Sequence, residues 1–123
     1  MTYNNFKYDV DADGIALITW DMPGKSMNVF TEEVMNELDA LLAAVVGDAA
    51  VKGVVFTSGK DSFSGGADLT MLKAMFEMYN SEKAKDQKNA VKLLFDVAGR
   101  MTWLFRKIET SGKPWVSAIN GVC

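Results

Sequence analysis

Val34, Leu38, Leu41, Leu42 and Val45 recur at helical spacing, with β-rich runs on either side of them. Thr31 stands where an N-cap belongs. Glu32 and Glu33 follow in the first turn, where the helix dipole favours acids, and the stripe ends at Gly47, a residue suited to a C-terminal cap. A helix so placed argues for layers of helix and sheet rather than an all-α or all-β chain.

Upstream, Phe6 to Val10 and Gly14 to Trp20 read as strands. The turn signal Asp11-Ala12-Asp13-Gly14 between them predicts a hairpin. Ile15, Leu17 and Thr19 fall on one face of the second strand, with Ala16, Ile18 and Trp20 on the other. Both faces are largely apolar, which predicts a strand covered on both sides. Asp21 to Ser26 is a loop. Downstream, Val51 to Thr57 predicts a buried strand, and Ser58 to Gly66 is a polar, glycine-rich loop. A helix is expected from near Asp68, with Leu69, Leu72, Met75 and Phe76 on one side. Asn80 to Asn89 is strongly polar, either a solvated helical turn or a mobile segment. A second long helix is expected over Val91 to Ile108, carried by Leu94, Val97, Met101, Leu104, Phe105 and Ile108. Trp115 to Ile119 reads as a last strand and Asn120-Gly121 as a turn. The order β-β-α-β-α-α-β predicts one mixed α/β domain with crossover helices.

Composition excludes several function classes. The 123 residues suffice for one domain. Thirteen basic against sixteen acidic side chains give −3, which argues against a nucleic-acid partner. There is no histidine, so this chain supplies no Ser-His-Asp or Cys-His constellation and no His-ligated metal. A single cysteine, Cys123, excludes a disulfide framework and a Cys-rich zinc site. Met1 to Asp9 lacks a basic stretch followed by an apolar one, and no run approaches the roughly 18 apolar residues of a membrane span. The expectation is a soluble, cytoplasmic chain.

Two glycine-bearing stretches are candidates for a phosphate site. Gly53 to Asp61 has its glycines one residue too far apart for a P-loop, and Asp61 stands where a metal-binding hydroxyl is needed. No Gly-x-Gly-x-x-Gly opens a helix after a strand. Phe63-Ser64-Gly65-Gly66-Ala67-Asp68-Leu69 leaves two readings open. One is a tight strand-to-helix turn capped by Asp68, which the residues alone favour. The other is a cradle in which amides around Ala67 meet an anion or a developing oxyanion at the positive end of the helix. Met71, Met75 and Met78 read as core filler or as the wall of an acyl pocket. Glu109 reads as a helix-end surface residue.

In order and spacing, these pieces resemble the crotonase superfamily of acyl-CoA enzymes, in particular the enoyl-CoA hydratase module that opens multifunctional fatty-acid oxidation alpha subunits. Ile15 to Pro23 is similar to the family's second strand and its exit. Gly24-Lys25-Ser26-Met27-Asn28-Val29-Phe30 is similar to its CoA-side loop, in the form found in the multifunctional subunits. Lys52 to Ser58 followed by Phe63 to Leu69 is the most specific piece, and Lys113 to Gly121 resembles the strand leading to a second signature.

The resemblance implies a crotonase-like ββα spiral (ClpP/crotonase type), of which residues 1–123 are the N-terminal part, and an acyl-CoA thioester substrate. It implies that the Ala67 amide is one of two donors to the thioester oxygen. Lys25, Ser26, Met27, Val29, Ser64, Gly66, Asp68 and Leu69 would contact the CoA portion. Coenzyme A enters as part of the substrate, with no other cofactor in this segment and no metal; NAD enters only if a dehydrogenase half follows. The implied assembly is a trimer-type homo-oligomer or an alpha-beta fatty-acid oxidation complex. Ser64 and Gly65 replace the commoner small apolar pair.

In the family, a glycine triplet with the second donor and two catalytic glutamates follow the Asn-Gly pair, and the sequence stops at Cys123 before any counterpart. The chain is therefore expected to be a cut hydratase domain, inactive alone. The alternatives are another crotonase reaction (isomerase, dehalogenase, decarboxylase or thioester hydrolase) or a non-catalytic CoA-binding or assembly module.

Overall fold

A computed structural model describes residues 2–123. Its elements are β1 (Phe6–Val10), β2 (Ile15–Trp20), α1 (Glu32–Gly47), β3 (Gly53–Ser58), α2 (Leu69–Lys83), α3 (Gln87–Glu109) and β4 (Trp115–Ala118), the order read from the sequence. They form a four-stranded sheet in the order β1-β2-β3-β4. β1 is antiparallel to β2, whereas β2, β3 and β4 run parallel. Parallel neighbours need crossovers: α1 supplies the one between β2 and β3, and the α2–α3 hairpin the one between β3 and β4.

The hairpin turn is tied by Asp11, whose carboxylate accepts the Asp13 and Ile15 amides. Gly14 takes φ +85° there, and a Cβ would collide with the Ala50 carbonyl. The core lies between one sheet face and α1. Ala16, Ile18 and Trp20 pack with Val34, Leu38, Leu41, Leu42 and Val45, and Phe6 stacks on Trp20 at 5.9 Å between ring centres.

Three expectations change, and one of two open readings is decided. The strand predicted to be covered on both sides is covered on one. Leu17, Val55 and Val116 are in register on the opposite face, and Leu17 is 42 % and Val116 59 % exposed, because no described element lies over that row. Gly47 does not act as a left-handed cap. α1 runs through it to an extended Asp48, and the last carbonyls are met by the Asp48 amide (on Ala44) and by Lys113 Nζ (on Val45 and Asp48).

The polar stretch 80–89 is solvated and helical at both ends, as the first of its two readings had it. α2 continues to Lys83, and α3 starts at Gln87 behind an Asp86 N-cap that accepts the Lys88 and Asn89 amides. Finally, the apolar stripes of α2 and α3 are mostly not buried. α2 buries none of its residues and α3 only Ala90 and Leu104, since these helices pack chiefly on each other. Phe105 meets the body edge-on at Phe30, 5.8 Å between ring centres.

Candidate active site

β2 and β3 end side by side at the Trp20–Ser58 pair, and two loops leave from there. Residues 21–31 lead into α1 and residues 59–68 into α2. The loops meet in a short ladder. The Gly65 amide donates to the Asn28 carbonyl (2.7 Å), the Phe30 amide to Gly66 (2.8 Å) and the Asp68 amide to Phe30 (3.0 Å). Phe30 and Ala67 form a parallel bridge. Strand alternation then fixes a direction: the polar groups of residues 66 and 68 point at Phe30, so the Ala67 N–H points the other way.

The neighbouring amides are all engaged. Those of Phe63 and Ser64 donate to the Val122 carbonyl, and that of Gly66 to Ser64 Oγ (3.0 Å). Ala67 alone in 63–68 has no acceptor among the described residues. Glycine is required just before it, because Gly66 takes φ +80°. Asp68 follows as the N-cap of α2, its carboxylate accepting the Met71 amide at 2.9 Å. The Ala67 amide thus sits at the positive end of a 15-residue helix.

Met27, Val29, Ser64, Gly66, Ala67 and Asp68 come together here. A Cβ on Gly65 would collide with Met27 Sδ and crowd Val29, so the glycine is what lets the two loops close. Lys25 and Ser26 lie on the exposed turn before Met27, after a Gly24 at φ +68°. Leu69 projects outward at 79 % exposure. Glu109 pairs with Arg106 on the exposed end of α3 (2.7 Å) and takes no part. Gly53 opens β3, so Gly53 to Ser58 is strand and not a phosphate loop. Among the described residues no three His, Cys, Asp or Glu side chains cluster as a metal site, and no helix is long and apolar enough to cross a membrane.

Several supporting residues were not singled out from the sequence. Asn28, fully buried, donates from Nδ2 to the Trp20 carbonyl (2.8 Å) and Ser58 Oγ (2.9 Å) and accepts the Met22 amide (3.1 Å). Lys60 Nζ bridges Asp21 and the Met22 carbonyl. Lys7 also donates to Asp21, and hydrogen bonds from Lys7 and then Lys60 hold the Asp21 carboxyl below its ordinary 3.8. Asn120 spans the other side of the 59–68 loop, donating to the Ser58 and Lys60 carbonyls (3.1 and 2.9 Å). The only signal for Asn28 is a lone polar residue between Met27 and Val29; Asn120 shows only as half of a turn pair, and nothing local marks Asp21 or Lys60.

A strand, a glycine turn and a helix start leave one amide directed outward, a donor able to meet an anionic or carbonyl oxygen. The family follows from comparison with known proteins. Residues 11–123 match the enoyl-CoA hydratase/isomerase family, and the chain belongs to it. It is 36 % identical over 123 residues to the fatty acid oxidation complex subunit alpha of Shewanella halifaxensis, and 38 % over 125 residues to that of Shewanella frigidimarina. Each alignment takes in 99 % of this chain and 15 % of the relative, so the chain spans a small part of these relatives' length.

Crystal structures share the fold. The enoyl-CoA hydratase of Shewanella pealeana superposes with a TM-score of 0.75 at 18 % identity, over 95 % of this chain and 39 % of that one. An enoyl-CoA hydratase/isomerase from Xanthobacter autotrophicus gives 0.72 at 25 %, over 98 % and 40 %. The fold is crotonase-like.

Proposed function

We propose that residues 1–123 are the N-terminal part of an enoyl-CoA hydratase domain and form the portion that holds the acyl-CoA thioester. The observation that carries this is the outward, acceptor-free Ala67 amide at the start of α2. A thioester oxygen placed on it gains a donor that costs no reorganisation. The bond strengthens as enolate-like charge builds during addition of water to the β-carbon, and one such donor is worth about 2.7–4 kcal/mol in the transition state.

Met27 and Val29 form the apolar wall beside Gly65, suited to the pantetheine arm, with Ser64, Gly66, Asp68 and Leu69 along the same path. Lys25 and Ser26, exposed ahead of that wall, are placed for a CoA phosphate, with Lys25 acting as a point charge. Hydration also needs a second oxyanion donor and carboxylates that split water. Residues 1–123 contain no counterpart of the family's glycine triplet or its two glutamates, so these residues by themselves bind the thioester without turning it over.

The likeness to the alpha subunits supports membership of a cytoplasmic fatty-acid oxidation complex, in which a dehydrogenase half would bring NAD. The decisive experiment is calorimetric titration of the chain with but-2-enoyl-CoA. Saturable binding supports the proposal; no binding at millimolar ligand by folded chain contradicts it.

A further inference from the structure

We infer that Asn28 is the positioning residue of this site, setting where the Ala67 amide points through a buried relay with Ser58. The inference rests on the proposed role of Ala67 as a thioester donor. Asn28 touches the end of β2, the end of β3 and the loop that carries Ala67. Its carboxamide takes the end of β2 through Trp20 and Met22, and the end of β3 through Ser58 Oγ. Its backbone carbonyl takes the Gly65 amide at 2.7 Å, two residues before Ala67.

The relay continues past Ser58. With Oγ accepting from Asn28 and from the Lys60 amide (3.0 Å), its proton goes to the Ser62 carbonyl at 2.7 Å. The carboxamide and the hydroxyl thus tie Ser58, Lys60 and Ser62 together, while the Asn28 backbone carbonyl holds Gly65. Asn28 has no exposed surface and Ser58 is 7 % exposed, so water does not substitute for a lost partner. Their removal changes the site through geometry, because an oxyanion donor displaced by about 1 Å loses much of its effect. Asn120 grips the same loop from outside, through a part-buried bond to the Ser58 carbonyl and an exposed one to the Lys60 carbonyl.

The test separates carbonyl recognition from CoA recognition. The chain is titrated with but-2-enoyl-CoA and with the matching thioether, which lacks the carbonyl oxygen. Wild type is expected to prefer the thioester about 2- to 12-fold, the equilibrium value of one amide hydrogen bond. Asn28→Asp, which keeps the size and the acceptor but loses the Nδ2 donors, and Ser58→Ala should each abolish that preference while leaving thioether affinity unchanged. Ser58→Thr, which keeps the hydroxyl, should restore it. Retention of the preference in the variants overturns the inference, as does an equal loss for both ligands. If Asn28→Asp does not fold, Ser58→Ala and Ser58→Thr decide on the same criterion. A wild type without preference overturns the thioester-donor role itself, and the inference with it.

Discussion

Phe30 and Ala67, one before α1 and the other before α2, are paired in a single parallel bridge, and the pairing turns the Ala67 N–H away from Phe30. The Gly66 carbonyl and the Asp68 amide are both spent on Phe30, at 2.8 and 3.0 Å. Neither loop alone aims the amide; their contact does.

Gly66 has open space around it, so a methyl group there meets only backbone strain at φ +80°. Gly66→Ala is expected to cost about 1–2 kcal/mol, read by urea denaturation. Unchanged stability would mean that the turn does not hold this conformation.

Asp68→Ala removes the acceptor of the Met71 amide. It should destabilise by about 1 kcal/mol and speed exchange of that amide, whereas Asp68→Asn should retain most of the cap.

The two faces of β2 should respond oppositely to truncation. Ile18 is fully buried under α1, so Ile18→Ala is expected to cost about 2–5 kcal/mol. Leu17 faces the uncovered row, and Leu17→Ala should stay within about 0.5 kcal/mol. Equal losses would show that a cover lies over both faces.

The Lys7–Asp21–Lys60 group sets a pH dependence. The folded-state pKa of Asp21 lies below its ordinary 3.8, so its contribution is full above that value and is lost as pH falls through the folded value. Asp21→Asn should therefore lower stability near neutrality and flatten this part of the acid limb. Measuring Tm against pH checks both signs.

The element order was legible because periodicity reports local burial: the α1 stripe and the Thr31 and Asp68 caps lie where the residues predicted. What was not legible depends on partners distant in sequence. Lys113 takes the capping role expected of Gly47 from 65 residues away, through its bond to Asp48. The stripes of α2 and α3 repeat as in a buried helix, yet Leu69, Phe76, Val97 and Phe105 in them remain exposed. Of the site, the Ser64–Asp68 loop was visible in its small residues. Asn28 was hidden, since a single asparagine carries no period and its partners lie at Trp20 and Ser58.

The most direct measurement is the amide nitrogen and proton shift of Ala67 on titration with but-2-enoyl-CoA, set against those of Gly65 and Asp68. A large downfield shift at Ala67, with the two already-bonded neighbours little changed and no such shift from free CoA, is the expected result. An Ala67 amide that stays put while the chain binds the thioester would contradict its role as the oxyanion donor.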